Sequence, residues 1–171
     1  MEIKVGMADL NVCESPDSII TLGLGSCVGA VLYDPVAKKC GMVHVMLPDS
    51  TTITNNQNVA KFADTGIEEC LRRVLAMGAR RERLVAKIAG GAQMFSMNTN
   101  NPMLRVGDRN VEAVKKKMAE LKIPIVAEDT GENYGRTVVF YPETGEYLLD
   151  ENGNYIYENC ERCWLGAVNA P

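Results

Sequence analysis

Residues 21–47 read TLGLGSCVGAVLYDPVAKKCGMVHVML, and the way this stretch divides decides the fold. It opens at the end of a β-rich run, Ser18 to Leu22, and passes into a tight glycine-rich turn, Gly23-Leu24-Gly25-Ser26. Val28 to Tyr33 and Gly41 to Leu47 are short apolar runs of strand type, and Asp34-Pro35-Val36-Ala37 between them is turn chemistry. The two runs read as a hairpin. Both are apolar on both of their faces, so their sheet needs a layer packed on each side.

Working outward, Glu2 to Met7 reads as a first strand, separated from Ser18 by a polar stretch that contains Pro16. Val59, Phe62, Ile67, Leu71, Val74 and Leu75 recur near helical spacing, which predicts a helix from Val59 to Met77 with Gly78 just past its end. A strand is expected at Leu84 to Ala89, then Gly90-Gly91 and an irregular segment from Ser96 to Arg105. A second helix, Asp108 to Leu121, carries Val111, Val114, Met118 and Leu121 on one face and stops before Pro124. The remainder reads as a β meander with strands at Ile125 to Glu128, Thr137 to Tyr141, Tyr147 to Asp150 and Tyr155 to Tyr157. Two main helices among many strands imply an α+β chain, a layered α/β sandwich in a single domain over residues 1–171.

Composition excludes more than it identifies. The 171 residues are enough for a self-sufficient core, and 46% hydrophobic with 23% charged residues is ordinary for a globular chain. A net charge of -4, from 18 basic and 22 acidic residues, gives no pull toward nucleic acid or an anionic membrane. The Lys115-Lys116-Lys117 run falls on the outer face of a predicted helix. The amino terminus lacks the basic start and apolar stretch of a secretory signal, and no 18-residue apolar run occurs, so the expected location is the cytoplasm, without membrane insertion. In that reducing setting the six cysteines read as thiols.

The chain has one histidine, His44, set among Met42, Val43, Val45 and Met46. A half-buried imidazole satisfied by a backbone carbonyl is the plain reading, but the hairpin suggests another. A turn centred between Pro35 and Val36 pairs Tyr33 with Lys38 and puts Cys27 directly across from His44, where Cβ atoms are roughly 4.5–5.5 Å apart. Thiol and imidazole then come within hydrogen-bonding reach. Cys27 also ends the glycine turn, whose backbone N–H groups at Gly25 and Ser26 can face a developing oxyanion. A thiolate beside an imidazolium is nucleophilic at neutral pH, whereas Cys40 and Cys70 sit in apolar patterns and stay protonated. Thr21, at the end of the strand entering the turn, can offer a hydroxyl to hold the imidazole tautomer, or serve as an ordinary strand residue.

These residues, Thr21-Leu-Gly-Leu-Gly-Ser-Cys27, Asp34-Pro35 and Gly41-Met-Val-His44-Val-Met-Leu-Pro48, closely resemble the CheD family of chemoreceptor glutamine deamidases. The likeness continues through Ala63-Asp64-Thr65, Lys87-Ile-Ala-Gly-Gly-Ala-Gln-Met-Phe95, Gly107-Asp-Arg-Asn110 and Ala127-Glu-Asp-Thr-Gly-Glu-Asn-Tyr-Gly-Arg136. The resemblance implies a Cys-His-Thr triad at Cys27, His44 and Thr21, and an α/β/β sandwich related to cysteine-dependent toxin deamidases. It also implies glutamine side chains of the chemoreceptor cytoplasmic coiled coil as substrate, a CheC-type CheY-phosphate phosphatase as partner and, for some members, hydrolysis of glutamyl methyl esters. Thioester chemistry of this kind requires no cofactor.

Two features stand apart. Cys160-x-x-Cys163, in a short C-terminal extension from about residue 158, has a spacing used by redox and zinc sites, but a closed zinc site needs four ligands and no second pair accompanies it. No metal is expected. Met94 and Phe95, delivered by Gly90-Gly91 into a polar segment, either cap the sheet edge or form a docking patch where receptor helix and phosphatase compete. A purely regulatory binding module is the alternative to an enzyme. Gly23-x-Gly25 lacks the third glycine and following helix of a dinucleotide site.

Overall fold

The computed structural model describes residues 1–52, 54, 57–93, 105–150 and 164–165. The strands are β1 Glu2–Val5, β2 Leu10–Glu14, β3 Ser18–Leu24, β4 Val28–Asp34, β5 Lys39–Val45, β6 Val85–Gly90, β7 Ile125–Thr130, β8 Arg136–Tyr141, β9 Glu146–Asp150 and β10 Trp164–Leu165. The helices are α1 Ala63–Ala76 and α2 Val106–Leu121. Two mixed five-stranded sheets form, one in the order β1-β3-β8-β9-β10 and the other β2-β5-β4-β6-β7.

The hairpin sheet is the middle layer. All seven residues of β4 are buried. On one face Val28, Ala30, Leu32, Val43, Val45, Ala86 and Ile88 pack with Ile67, Cys70, Val74, Val114 and Met118 of the two helices. On the other, Val31, Tyr33, Cys40 and Met42 meet Ile19, Val138, Phe140, Tyr147 and Leu149 of the second sheet. The result is an α+β chain in three layers, helices on sheet on sheet. Among the described residues no helix is long and apolar enough to cross a membrane.

Each helix forms where the sequence offers one apolar stripe. In α1 the buried positions Ala63, Gly66, Ile67, Cys70, Leu71 and Val74 follow the three-and-four spacing of a single face. It starts four residues later than expected, because Val59–Lys61 is a separate 3-10 turn capped by the Asn58 side chain. Gly41 lets α1 approach β5, since a Cβ there would stand 2.6 Å from Cys70 Sγ. In α2 the buried face is Gly107, Asn110, Val114 and Met118, with Val111 and Leu121 packed beside it. Lys122 ends this helix in the left-handed region at φ 59.

Three expectations are corrected. The hairpin turn spans four residues: Asp34 pairs with Lys39 and Tyr33 with Cys40, so the register is displaced by two and His44 lies across from Gly29. The polar stretch before Pro16 holds β2, an edge strand on β5. The C-terminal strands are no simple meander, because β7 leaves them to pair in parallel with β6 across α2, a β-α-β unit, while β8 and β9 form a hairpin in the other sheet. The expected strand at 155–157 lies outside the described residues.

Candidate active site

The site forms where the chain crosses from one sheet to the other. β3 runs along the second sheet with Ile19 and Thr21 turned toward the inter-sheet layer, then bulges between Thr21 and Leu24. Gly23 takes φ +71 and its carbonyl accepts the Gly25 N–H at 3.0 Å, closing the turn. Residues 25–27 cross the gap, and β4 begins at Val28 in the hairpin sheet. Leu22 is thrust outward at 59% exposure, while Thr21, Cys27 and His44 are only 1%, 8% and 0% exposed.

His44 shares its face of β5 with Cys40 and Met42, the face turned to the second sheet. Its cross-strand neighbour Gly29 leaves room for that sheet to come close: a Cβ there would meet Tyr147 Oη at 2.9 Å, Leu24 at 3.1 Å and the Thr21 methyl at 3.6 Å. Through this gap Thr21 Oγ1 reaches His44 Nδ1 at 2.7 Å, and the same hydroxyl donates to the Val5 carbonyl at 2.7 Å. A hydroxyl has one proton to give. With it on Val5, the oxygen accepts from His44, so Nδ1 carries the imidazole hydrogen and Nε2 is left as the basic nitrogen. Nε2 is buried with no hydrogen-bond partner among the described residues.

Cys27 lies one residue before β4, on the side of that strand that also carries Gly29 and Val31. Carrying the register one step past the Val28–Val45 pair sets it across from Met46 and diagonal to His44. Diagonal neighbours on one face lie about 7–8 Å apart, and no hydrogen bond joins Cys27 to His44 Nε2 among the described residues, so the expected direct contact is not formed. The expected direct opposition is thus replaced by a diagonal relation.

Electrostatics also differ from the thiolate and imidazolium expectation. Burial pushes the Cys27 thiol up, against a smaller opposite pull from its own backbone N–H. Burial also lowers His44 to about 4. Both groups are neutral at pH 7. Burial likewise raises Cys70 to about 12 and Cys40 well above its usual value. Cys13, paired with Cys40 across β2 and β5 at 3.5 Å between sulfurs, is drawn down by the hydrogen bond from that neighbour.

Of the two amides expected to face an oxyanion, that of Gly25 is committed to Gly23. Sequence reasoning missed what grips this loop from behind. The Ala92 N–H donates to the Gly25 carbonyl at 2.9 Å, the Gly91 N–H to Cys27 at 2.8 Å, and Asn110 to Ser26 at 2.9 Å. Gly90 takes φ +110 with its backbone against the Cys27 carbonyl, leaving no space for a Cβ. A polar asparagine on the otherwise apolar stripe of α2 was the signal that could have found this. Met94, Phe95, Cys160 and Cys163 lie outside the described residues.

The CheD family model, described as CheD chemotactic sensory transduction, matches residues 46–151, more than half of the chain. The chain belongs to the CheD family. A CheD relative from Lachnoclostridium phytofermentans, named a probable chemoreceptor glutamine deamidase, is 69% identical over 151 residues, covering 88% of this chain and 94% of its own. The chemoreceptor glutamine deamidase CheD of Halalkalibacterium halodurans is 59% identical over 143 residues, 83% of this chain and 88% of its own. That of Bacillus licheniformis is 52% identical over 148 residues, 86% and 88%. The family match starts just past His44 and so does not include Thr21, Cys27 or His44.

Proposed function

We propose that this chain is a protein-glutamine deamidase that converts glutamine side chains of the chemoreceptor cytoplasmic coiled coil to glutamate through a Cys27 thioester. The observation that carries this reading is the buried Nε2 of His44, without a hydrogen-bond partner among the described residues and held as the basic nitrogen by Thr21 on the inter-sheet face where Cys27 also lies.

The neutral ground state dictates the order of proton transfers. Cys27 Sγ attacks the side-chain carbonyl carbon while its proton passes to His44 Nε2. The oxyanion is held by the Ser26 and Cys27 amides, since that of Gly25 is engaged in the turn. An imidazolium in a site that lowers its pKa to about 4 is a strong acid, suited to protonating the departing nitrogen as ammonia. Water then gives its proton to Nε2 and attacks the γ-glutamyl thioester. Collapse expels the Cys27 sulfur, which recovers its proton from His44, and the product is glutamate.

Incubation with a purified chemoreceptor cytoplasmic fragment is expected to release ammonia and to give the mass gain of amide-to-acid conversion at defined glutamines. Unchanged receptor mass with a folded enzyme would refute the reading. The family resemblance makes a CheC-type phosphatase a partner in the same reading, docked near residues 94–95.

Thr21 acts through the imidazole. Thr21→Val keeps the shape and removes the hydroxyl, so kcat is expected to fall about tenfold, the scale of one neutral hydrogen bond of about 0.5–1.5 kcal/mol. A loss as large as that from removing the thiol would overturn this ranking.

A further inference from the structure

The segment Gly107-Asp-Arg-Asn110 opens α2 and takes no part in the chemistry above. Asn110 is fully buried beside Gly107, Val114 and Met118. A side-chain amide buried without partners costs roughly 1–3 kcal/mol, so its bonds are informative. Its Nδ2 donates to two carbonyls, Ser26 and Met46, each at 2.9 Å. Ser26 immediately precedes Cys27, and Met46 lies two residues past His44. One planar amide therefore ties together the two backbone segments that bear the reacting side chains.

The same bond fixes a peptide plane. In a trans peptide the C=O and the following N–H point in opposite directions. With the Gly25 carbonyl turned to Ala92 and the Ser26 carbonyl turned to Asn110, the Ser26 and Cys27 N–H groups face away from β6 and α2. Gly107 makes the approach of α2 close enough, since a Cβ there would stand 2.6 Å from the Gly91 carbonyl oxygen.

We propose that Asn110 is a positioning residue for deamidation: its amide presets the Ser26–Cys27 peptide so that the Cys27 N–H meets the oxyanion, and fixes the separation of Cys27 from His44. The proposal rests on the deamidase reading but is separable from it in test.

Asn110→Ala and Asn110→Ser are compared with Val114→Ala, which removes buried volume from the same helix in the helix–sheet core, away from the crossing loop. The readouts are kcat and KM on the receptor fragment, thermal melting, and the pH profile of Cys27 alkylation by iodoacetamide. In the Asn110 variants kcat is expected to fall about 100-fold, the scale of a lost oxyanion donor or a displacement near 1 Å, with KM changed less than about threefold. The alkylation inflection is expected to move to higher pH, because the Cys27 N–H no longer faces the sulfur. Val114→Ala should melt lower and keep its kcat.

Retained kcat in a folded Asn110 variant would overturn the proposal. So would an alkylation inflection that stays or moves down, the sign of a merely loosened, wetter loop. Loss of kcat in step with melting temperature across all three variants, or failure of both Asn110 variants to fold, would return Asn110 to a structural role. If the wild type converts no receptor glutamine, the deamidase reading fails, and the alkylation profile still decides whether Asn110 sets the peptide.

Discussion

Cys27→Ala is expected to abolish receptor deamidation while leaving the fold intact. The thiol supplies the only atom of this chain that becomes bonded to substrate in the proposed reaction, and neither the imidazole nor the loop amides can take its place. Its contribution to packing is small: the residue borders the inter-sheet core at the edge of a turn, and Cys to Ala removes one atom. The other described cysteines do not substitute. Cys40 and Cys70 are fully buried in the layers with thiols pushed up by burial. Cys13 is drawn down, which makes it the one rival on acidity, but its sulfur faces Cys40 on the edge-strand pair. The check is receptor mass after overnight incubation with Cys27→Ala and, separately, Cys13→Ala. Conversion by the first variant, or its loss in the second with melting unchanged, would move the nucleophile elsewhere.

His44→Gln is expected to lower kcat by about a thousandfold, within the 10²–10⁴ range for a lost general base. It should also change how stability depends on pH, in a direction the burial of His44 sets. Its folded pKa is about 4, below the ordinary 6.5, so between these values the unfolded chain binds a proton that the folded chain does not. Stability tied to His44 is therefore complete above about pH 6.5 and is lost as pH falls toward 4, by on the order of 3 kcal/mol across the window. Carboxylates such as Asp34, raised by burial but held down to about 2 by Arg83 together with the Arg80, Ala37 and Val36 amides, lose their contributions at lower pH. Urea unfolding of wild type and His44→Gln at pH 7, 6, 5 and 4 isolates the histidine: the wild-type excess should shrink steadily below 6.5. A constant difference would mean that the imidazole is solvated and free to titrate in the folded chain.

Much of the architecture could be read in the sequence because β4 and β5 are apolar at nearly every position, a pattern that only a sheet covered on both sides tolerates. The register could not. Asp34 accepts the Val36 and Ala37 amides and Lys38 adopts φ 55, lengthening the turn to four residues, and no residue type in Pro-Val-Ala-Lys announces a left-handed lysine. The strand β2 escaped notice because Asn11 and Glu14 break its apolar pattern and its pairing with β5 is a tertiary matter. The parallel β6–β7 pair was legible in principle from the strand-helix-strand order, which the turn signals around it obscured. Within the site, residue types pointed to Cys27, His44 and Thr21, whereas Asn110 and the Gly90–Gly91 grip depend on how distant segments meet.

Thr21 and His44 stand on different sheets, joined by one hydrogen bond across a layer whose closeness relies on Gly29 and on the bond from Tyr147 Oη to the Gly29 carbonyl at 2.9 Å. In the proposed mechanism, chemical competence is therefore a property of the finished fold. A compact intermediate with native strands but loose packing between its sheets would leave the imidazole without its partner. A newly made chain thus gains its capacity to alter other proteins only once its own inter-sheet core has closed.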